Sequence, residues 1–357
     1  MGITLGAQIC GLGAFMSIVT HKGTDMDDTF IRITSGNSYT SALVWQSVLK
    51  AADYMGINMN KSVCAVVGAA GNIGSVTASL LSEDCPKLIL IGRERKDAVE
   101  SLRNVAYTIY SDAVDILRGT RPEKLKGLSA AIAQDVILPY AALMSRDFKF
   151  NEQKIADFIN KTYTGRDREI ANLVKSIFHQ RPDSDIGRKV FQAIQLKHGK
   201  DPHIILTTNA KKYLRNADIV VSAVSADQSF IDPSWIKPGA IVNDASLPPA
   251  ISNEIYKKRP DVLAIQGGVG HLPEYIDLGI PGLAAGATLG CMAETFILTM
   301  MNMIDNYSYG AISKQQVVKI WEAGNILGFG IAAIKYRDNQ KLTRELAQEI
   351  KRKAESK

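Results

Sequence analysis

Two stretches of this chain carry residue types at spacings that can do chemistry. The first is Gly68-Ala69-Ala70-Gly71-Asn72-Ile73-Gly74, directly after the apolar run Val63 to Val67. Glycines so spaced between a buried strand and a helix serve three needs: a tight turn, backbone approach to a pyrophosphate, and close helix–strand packing. The helix N-terminus adds unpaired N–H groups and partial positive charge for phosphate, so a nucleotide cofactor is expected. The second stretch is Gly290-Cys291-Met292-Ala293-Glu294-Thr295, reached through the small residues from Pro281 to Leu289. It places the thiol of Cys291 in the first turn of an apolar helix, where the helix dipole favours a thiolate. Alone, such a cysteine reads as an inert core residue. Beside a dinucleotide turn it reads as a nucleophile that can take an acyl group as a thioester and present its carbonyl to hydride.

The surrounding residues refine the cofactor. The apolar run Leu88 to Ile91 ends at Gly92-Arg93-Glu94-Arg95, about 20 residues past the glycines, where a dinucleotide site reads the adenosine ribose. An acid there suits NAD. Arg93, with Arg95 as second candidate, offers a planar cation to a 2′-phosphate, so NADPH is expected. Solvated surface arginines are the plain alternative, and Glu94 stands close by. Thr207 and Thr208 follow the third strand, where the adenine would lie. Ala223, Val224 and Ser225 end the fourth strand and are small enough for a nicotinamide to approach. His271, after the glycine turn Gly267 to Gly270, is the candidate acid or base, since imidazole titrates near neutrality. A loop histidine that only packs or caps is equally open. Backbone N–H groups near Gly290 and Cys291 are candidates for holding an oxyanion. Asn243 and Asp244 end a strand at the cleft without a catalytic role, and Thr34 to Thr40 either cap the next helix or line the cleft.

These residues need a frame. Strands are expected at Val63 to Val67, Leu88 to Ile91, His203 to Thr207, Asp218 to Val224, Ala240 to Asp244 and Val262 to Gln266, with helical segments between. That alternation implies an α/β fold, a Rossmann-type doubly wound parallel sheet with a helical insertion and additional N- and C-terminal helices. Residues 1–60 form a helical segment beside the substrate cleft, with a helix from Ser38 to Met55. Residues 61–270 form the NADP-binding domain, and residues 271–357 a helical segment with Cys291 and a basic tail. Between the second and third strands, residues of about 100–200 exceed any ordinary crossover, and Leu128 to Met144 and three later segments carry helical spacing. This insertion holds 16 Lys and Arg against 10 Asp and Glu from Asp115 to Lys200, an excess equal to the net charge of +6 on the whole chain. Such charge fits a solvated face, nucleic acid, an anionic membrane surface or an acidic protein. Without aromatic–basic interleaving or zinc spacing, nucleic acid is not expected. His179, His198 and His203 lack ligand spacing, so no metal site is expected. The longest apolar run, near Leu283 to Ile304, is broken by Glu294, Asn302 and glycines, so no integral membrane span is expected. Four cysteines without C-x-x-C spacing and no leader pattern point to a cytoplasmic setting. Homo-oligomerisation is left open.

Gly11-Leu12-Gly13-Ala14-Phe15, Thr34 to Thr40, Val66 to Ser75, Gly267 to His271 and Cys291 to Thr295 occur in this order. Together they resemble the long-chain acyl-(acyl carrier protein) reductases, the cyanobacterial enzymes that make fatty aldehydes. The resemblance covers most of the chain outside the insertion. It implies NADPH-dependent reduction of an acyl thioester through a covalent enzyme thioester, with the cysteine of the family's C-x-A-E-[ST] helix falling on Cys291. It also implies acyl carrier protein or coenzyme A as the partner that delivers the acyl group. Two departures stand out. The family carries a substantial acyl-binding region ahead of its Gly-Leu-Gly-Ala-Phe segment, which this sequence reaches almost at once, and the insertion is large and basic. Since acyl carrier proteins are acidic, the insertion is a candidate docking surface. A Cys-independent dehydrogenase of shikimate or glutamyl-tRNA reductase type and a non-catalytic NADP-binding scaffold are the alternatives.

Overall fold

The computed structural model describes residues 6–13, 16–26, 30–144, 152–179, 184–225, 228–336 and 340–356. Ala14 and Phe15 of the first motif, and parts of the insertion, lie outside them. The chain enters through a parallel pair, Ile9–Gly11 (β1) and Arg32–Thr34 (β2), with the single helical turn Met16–Val19 (α1) between them. Asn37–Met55 (α2) follows, within one residue of the expected helix. It ends at Gly56, whose positive φ of 64° lets its N–H reach back to the carbonyls of Ala52 and Asp53, a left-handed cap that suits glycine.

Val63–Val67 (β3), Asn72–Ser82 (α3) and Lys87–Ile91 (β4) form the first parallel unit. The excursion then runs through Ala98–Gly119 (α4), Gly127–Ile132 (α5), Glu152–Thr162 (α6), Gly165–His179 (α7) and Ile186–His198 (α8). The sheet resumes with Ile204–Thr207 (β5), Ala210–Tyr213 (α9), Ile219–Ser222 (β6), Ile241–Asp244 (β7), Ile255–Lys258 (α10) and Leu263–Gln266 (β8). All six strands are parallel, in the order β5-β4-β3-β6-β7-β8, so the fold is the expected doubly wound sheet. The strand order reverses between β3 and β6, opening a crevice at their carboxyl ends.

The two-residue period of a strand explains why these runs are apolar throughout. Cys64, Val66, Leu88, Leu90, Ile219 and Val221 pack on one face. Ala65, Val67, Ile89, Ile91, Val220 and Val242 pack on the other. Burying each leucine or isoleucine stabilises the sheet by about 1.5–3 kcal/mol. The insertion is not a separate body. Ile132, Val136, Ile159, Ile170 and Val174 share the first core with the sheet, α2 and α4. Within Leu128 to Met144 the helix changes character, widening to a π turn at Ala133–Ile137 and tightening to 3-10 turns over Leu138–Met144. Pro139 accounts for the change. It has no N–H to return to the carbonyl of Asp135 four residues earlier, and its ring crowds that carbonyl; the Asp135 carbonyl instead accepts a hydrogen bond from Lys197 Nζ.

Beyond the sheet, Val269–His271 (β9), Ala287–Leu289 (β10) and Gly330–Ile331 (β11) form an antiparallel sheet in the order β10-β9-β11. The Gly267 to Gly270 segment is therefore half turn and half strand, and the boundary drawn at residue 270 falls inside β9. Gly290–Met300 (α11), Lys314–Ile326 (α12) and Arg344–Glu355 (α13) complete the fold. Tyr39, Ala42 and Leu43 of α2 pack with Ile297 and Leu298 of α11 and Val317 and Ile320 of α12, while Val44, Val48 and Ala51 face the sheet core. Apolar on both sides, α2 locks the C-terminal helices to the sheet. Among the described residues no helix is long and apolar enough to cross a membrane.

Candidate active site

A cavity of about 690 Å³ opens where the strand order reverses. Its floor is the turn after β3, where Gly68, Ala70, Gly71, Asn72 and Ile73 line it. Gly68 has φ +82°, and a Cβ there would lie 2.5 Å from the Ala223 carbonyl oxygen, so only glycine fits. A Cβ on Gly74 would stand 2.2 Å from the Gly68 oxygen, which keeps α3 tight against the turn. At the N-cap of α3, Gly71 brings no side-chain acceptor to the first-turn N–H groups. These features fit a pyrophosphate: a backbone bare of Cβ atoms leading into an uncapped helix start. Arg93 and Arg95 line the same cavity beyond β4, and Ala223, Val224 and Ser225 beyond β6. Arg95 is held by Asp97, at 3.0 Å, and donates to Ser101 Oγ at 3.1 Å. Among the described residues Arg93 has no ion-pair partner.

The start of α11 also faces the cavity. Leu289, Gly290 and Cys291 line it, together with Ser35, Asn37 and Thr40 from the start of α2. The two helix starts touch at Gly36. It has φ +72°, and a Cβ there would fall 2.2 Å from Cys291 Cα. The Gly290 N–H is already given to the Gly268 carbonyl at 2.9 Å, which removes it from the expected oxyanion donors. Three residues along α11, Glu294 is completely buried and secures this junction. One of its oxygens accepts from Thr34 Oγ1 and the other from the Tyr39 N–H at 2.7 Å. Gly36 has no side chain to cap α2, so Glu294 and Ser308 do so from elsewhere. Ser308 Oγ accepts the Ser38 N–H at 2.9 Å, and the Ser308 carbonyl accepts Ser35 Oγ at 2.6 Å. The Thr34 to Thr40 stretch is thus capped by others and lines the cleft at once.

Burial is the largest influence on the Glu294 carboxyl and lifts its pKa above the ordinary value, while hydrogen bonds from Ser308, Thr34 and Tyr39 pull it down. Because folding raises this pKa, the unfolded chain ionises first as pH increases. The stability this group contributes is therefore fully present below about pH 4.3, the ordinary glutamate value, and is lost as pH rises through the folded value. Glu294→Gln cannot ionise and leaves one donor poorly served. It is expected to cost about 1–2 kcal/mol in acid and less toward neutrality. Urea unfolding across that range checks this, and a penalty independent of pH would count against it.

No family model matches the chain. Over 331 residues, 91% of its length, it is 22% identical to aminotransferase PigE of a Serratia species, across 28% of that protein. Over 152 residues, 40% of its length, it is 30% identical to the long-chain acyl-(acyl-carrier-protein) reductase of Synechococcus elongatus, across 37% of that protein. The chain spans well under half the length of either curated relative. Both relatives are enzymes, and part of this chain is similar to an acyl reductase.

The structure does not gather every expected residue here. His271 lies on a second cavity of about 500 Å³. Antiparallel pairing explains this: Val269 sits opposite Leu289, next to the helix of Cys291, but His271 sits opposite Ala287, two residues further off. Ala69 is fully buried. Thr207 is on the edge strand β5, outside the cavity, where its carbonyl accepts the Gly92 N–H and its hydroxyl the Asn209 N–H. Asn243 is buried and donates to Ser47 Oγ at 2.7 Å, tying the sheet to α2. Asp244 does line the cavity and accepts the Ser246 and Ile251 N–H groups at 3.0 Å each. Burial raises its pKa. His21, Lys22 and Ser246 also line the cavity and were not found from the sequence. No motif marks them, because the His21–Lys22 turn and the loop of Ser246 reach the site from distant parts of the chain. Among the described residues, none of the insertion's lines this cavity.

Proposed function

We propose that this chain reduces an acyl thioester to an aldehyde with NADPH, through an acyl group carried on Cys291. The observation that supports this reading is a single cavity lined both by Gly68, Ala70, Gly71, Asn72 and Ile73 of the turn and by Cys291. The turn and the start of α3 would hold the pyrophosphate, Arg93 and Arg95 the 2′-phosphate, and Ala223 to Ser225 the nicotinamide. When bound, the dinucleotide supplies the hydride that turns the Cys-bound acyl group into aldehyde. The rest falls to the protein. The Cys291 sulfur adds to the thioester carbonyl, the bond to the carrier sulfur breaks, and the carrier leaves as a thiol after taking up a proton. Gly36 keeps the sulfur's backbone close to the start of α2, and Glu294 holds both helices in that relation as a positioning residue. The acyl donor is acyl carrier protein or coenzyme A. The partial similarity to an acyl reductase supports this choice.

Incubation with an acyl-coenzyme A in the absence of NADPH, followed by intact-mass and peptide analysis, tests the reading. An adduct on Cys291 that NADPH discharges as aldehyde is expected. Turnover with no adduct would instead point to a Cys-independent dehydrogenase. For the cofactor, Arg93→Ala is expected to raise KM for NADPH roughly 10–100-fold, the worth of a charge-assisted hydrogen bond, and to leave NADH nearly unaffected. Steady-state kinetics with both coenzymes decide it, and equal losses with each would remove the 2′-phosphate role.

A further inference from the structure

At the amino ends of the strands, opposite the cavity, three side chains distant in sequence converge. His203 directly precedes β5, His198 ends α8, and Asp135 sits in the π turn of the insertion. Their ligand-type atoms all lie within 4.8 Å of one another. His198 Nε2 is 2.8 Å and His203 Nε2 2.7 Å from the same oxygen, Asp135 Oδ2. Two imidazole nitrogens thus compete for one carboxylate oxygen. The contact from His198 is at ion-pair distance but out of line, and its Nε2 is buried with no hydrogen-bond partner among the described residues.

We infer that Asp135, His198 and His203 form a binding site for a divalent transition-metal ion of the zinc type. Two imidazoles and one carboxylate are a ligand set that such ions take, with water in the fourth position. Zinc bonds of about 2.0–2.2 Å place tetrahedral ligand atoms roughly 3.3 Å apart. Each nitrogen–oxygen distance, 2.8 and 2.7 Å, therefore needs to lengthen by only about half an ångström. The Asp135, His198 and His203 side chains are 29%, 27% and 13% exposed, so the cluster lies near the surface rather than deep in the core. Lys197 does not block it. Its Nζ is anchored on the Asp135 carbonyl that Pro139 leaves unpaired, and lies 3.8 Å from Oδ1, the carboxylate oxygen that faces neither histidine. Both imidazoles would bind as neutral rings, each with its remaining proton on Nδ1, and the carboxylate as an anion. Displaced water is then the product, and no redox step is involved. Such an ion would join the π turn, the end of α8 and the start of β5, stapling the insertion to the sheet.

The test uses the full-length, tag-free chain stripped with a chelator and titrated with zinc or cobalt(II). One equivalent should bind, and the thermal midpoint should rise by several degrees, because the ligand binds the folded state. The cobalt form should show visible ligand-field bands without thiolate-to-cobalt charge transfer. His198→Gln and Asp135→Asn should each weaken binding by at least about 100-fold, more than loss of an outer partner costs, while Cys10→Ser with Cys291→Ser leaves it unchanged. Absence of saturable binding, a thiolate charge-transfer band, or affinity unmoved by His198→Gln would each overturn the assignment. The cobalt spectrum of the unaltered protein decides the matter even if a variant fails to fold.

Discussion

Cys291→Ala is expected to lower aldehyde formation by about 10⁴-fold or more, the scale of losing a covalent nucleophile, and to abolish the acyl adduct. NADPH binding should stay within about twofold, because the turn that would hold the dinucleotide belongs to other elements of the cavity and binding there does not need the sulfur. Fluorescence titration of NADPH beside a stopped assay for aldehyde separates the two effects. Retained turnover in the variant would favour a mechanism without a covalent intermediate. Intact binding with no turnover by the unaltered protein on any acyl thioester would favour a scaffold.

Gly36→Ala is the second change with a large expected effect, although position 36 carries no chemistry. Its Cβ would need space occupied by the Cys291 backbone, 2.2 Å from Cα and 2.7 Å from the carbonyl oxygen, and alanine resists the φ of +72°. Overpacking and left-handed strain together are expected to cost about 3 kcal/mol. Relief requires the start of α11 to move away from α2, and a displacement of about 1 Å at a reacting atom can cost roughly 100-fold in rate. Urea unfolding should show the stability loss, and the rate of acyl-adduct formation should fall even where the variant is fully folded. Wild-type acylation would mean that the contact between the two helix starts does not position the thiol.

Glycine at 36 illustrates what a linear reading misses. In sequence, Thr34 to Thr40 looks like a cap or a cleft wall. Only the fold shows that its helix is capped by Glu294 and Ser308, 255 and 270 residues away, and that its missing side chain makes room for Cys291. His271 shows the converse. Proximity along the chain to a glycine turn suggested a catalytic base, but strand pairing carries it to another cavity. His198 and His203 had no ligand spacing, yet the π turn Ala133–Ile137 brings Asp135 to them.

What the sequence determined by itself was the sheet and the turn after its first strand. Short, β-branched apolar runs bounded by turn residues suit strands buried on both faces, and glycines at that spacing answer to backbone sterics acting over a few residues. Tertiary structure alone decided which of the candidate side chains share a cavity. That choice depends on strand register and on the packing of α2 against α11, and each of these is set by contacts between residues far apart in the chain.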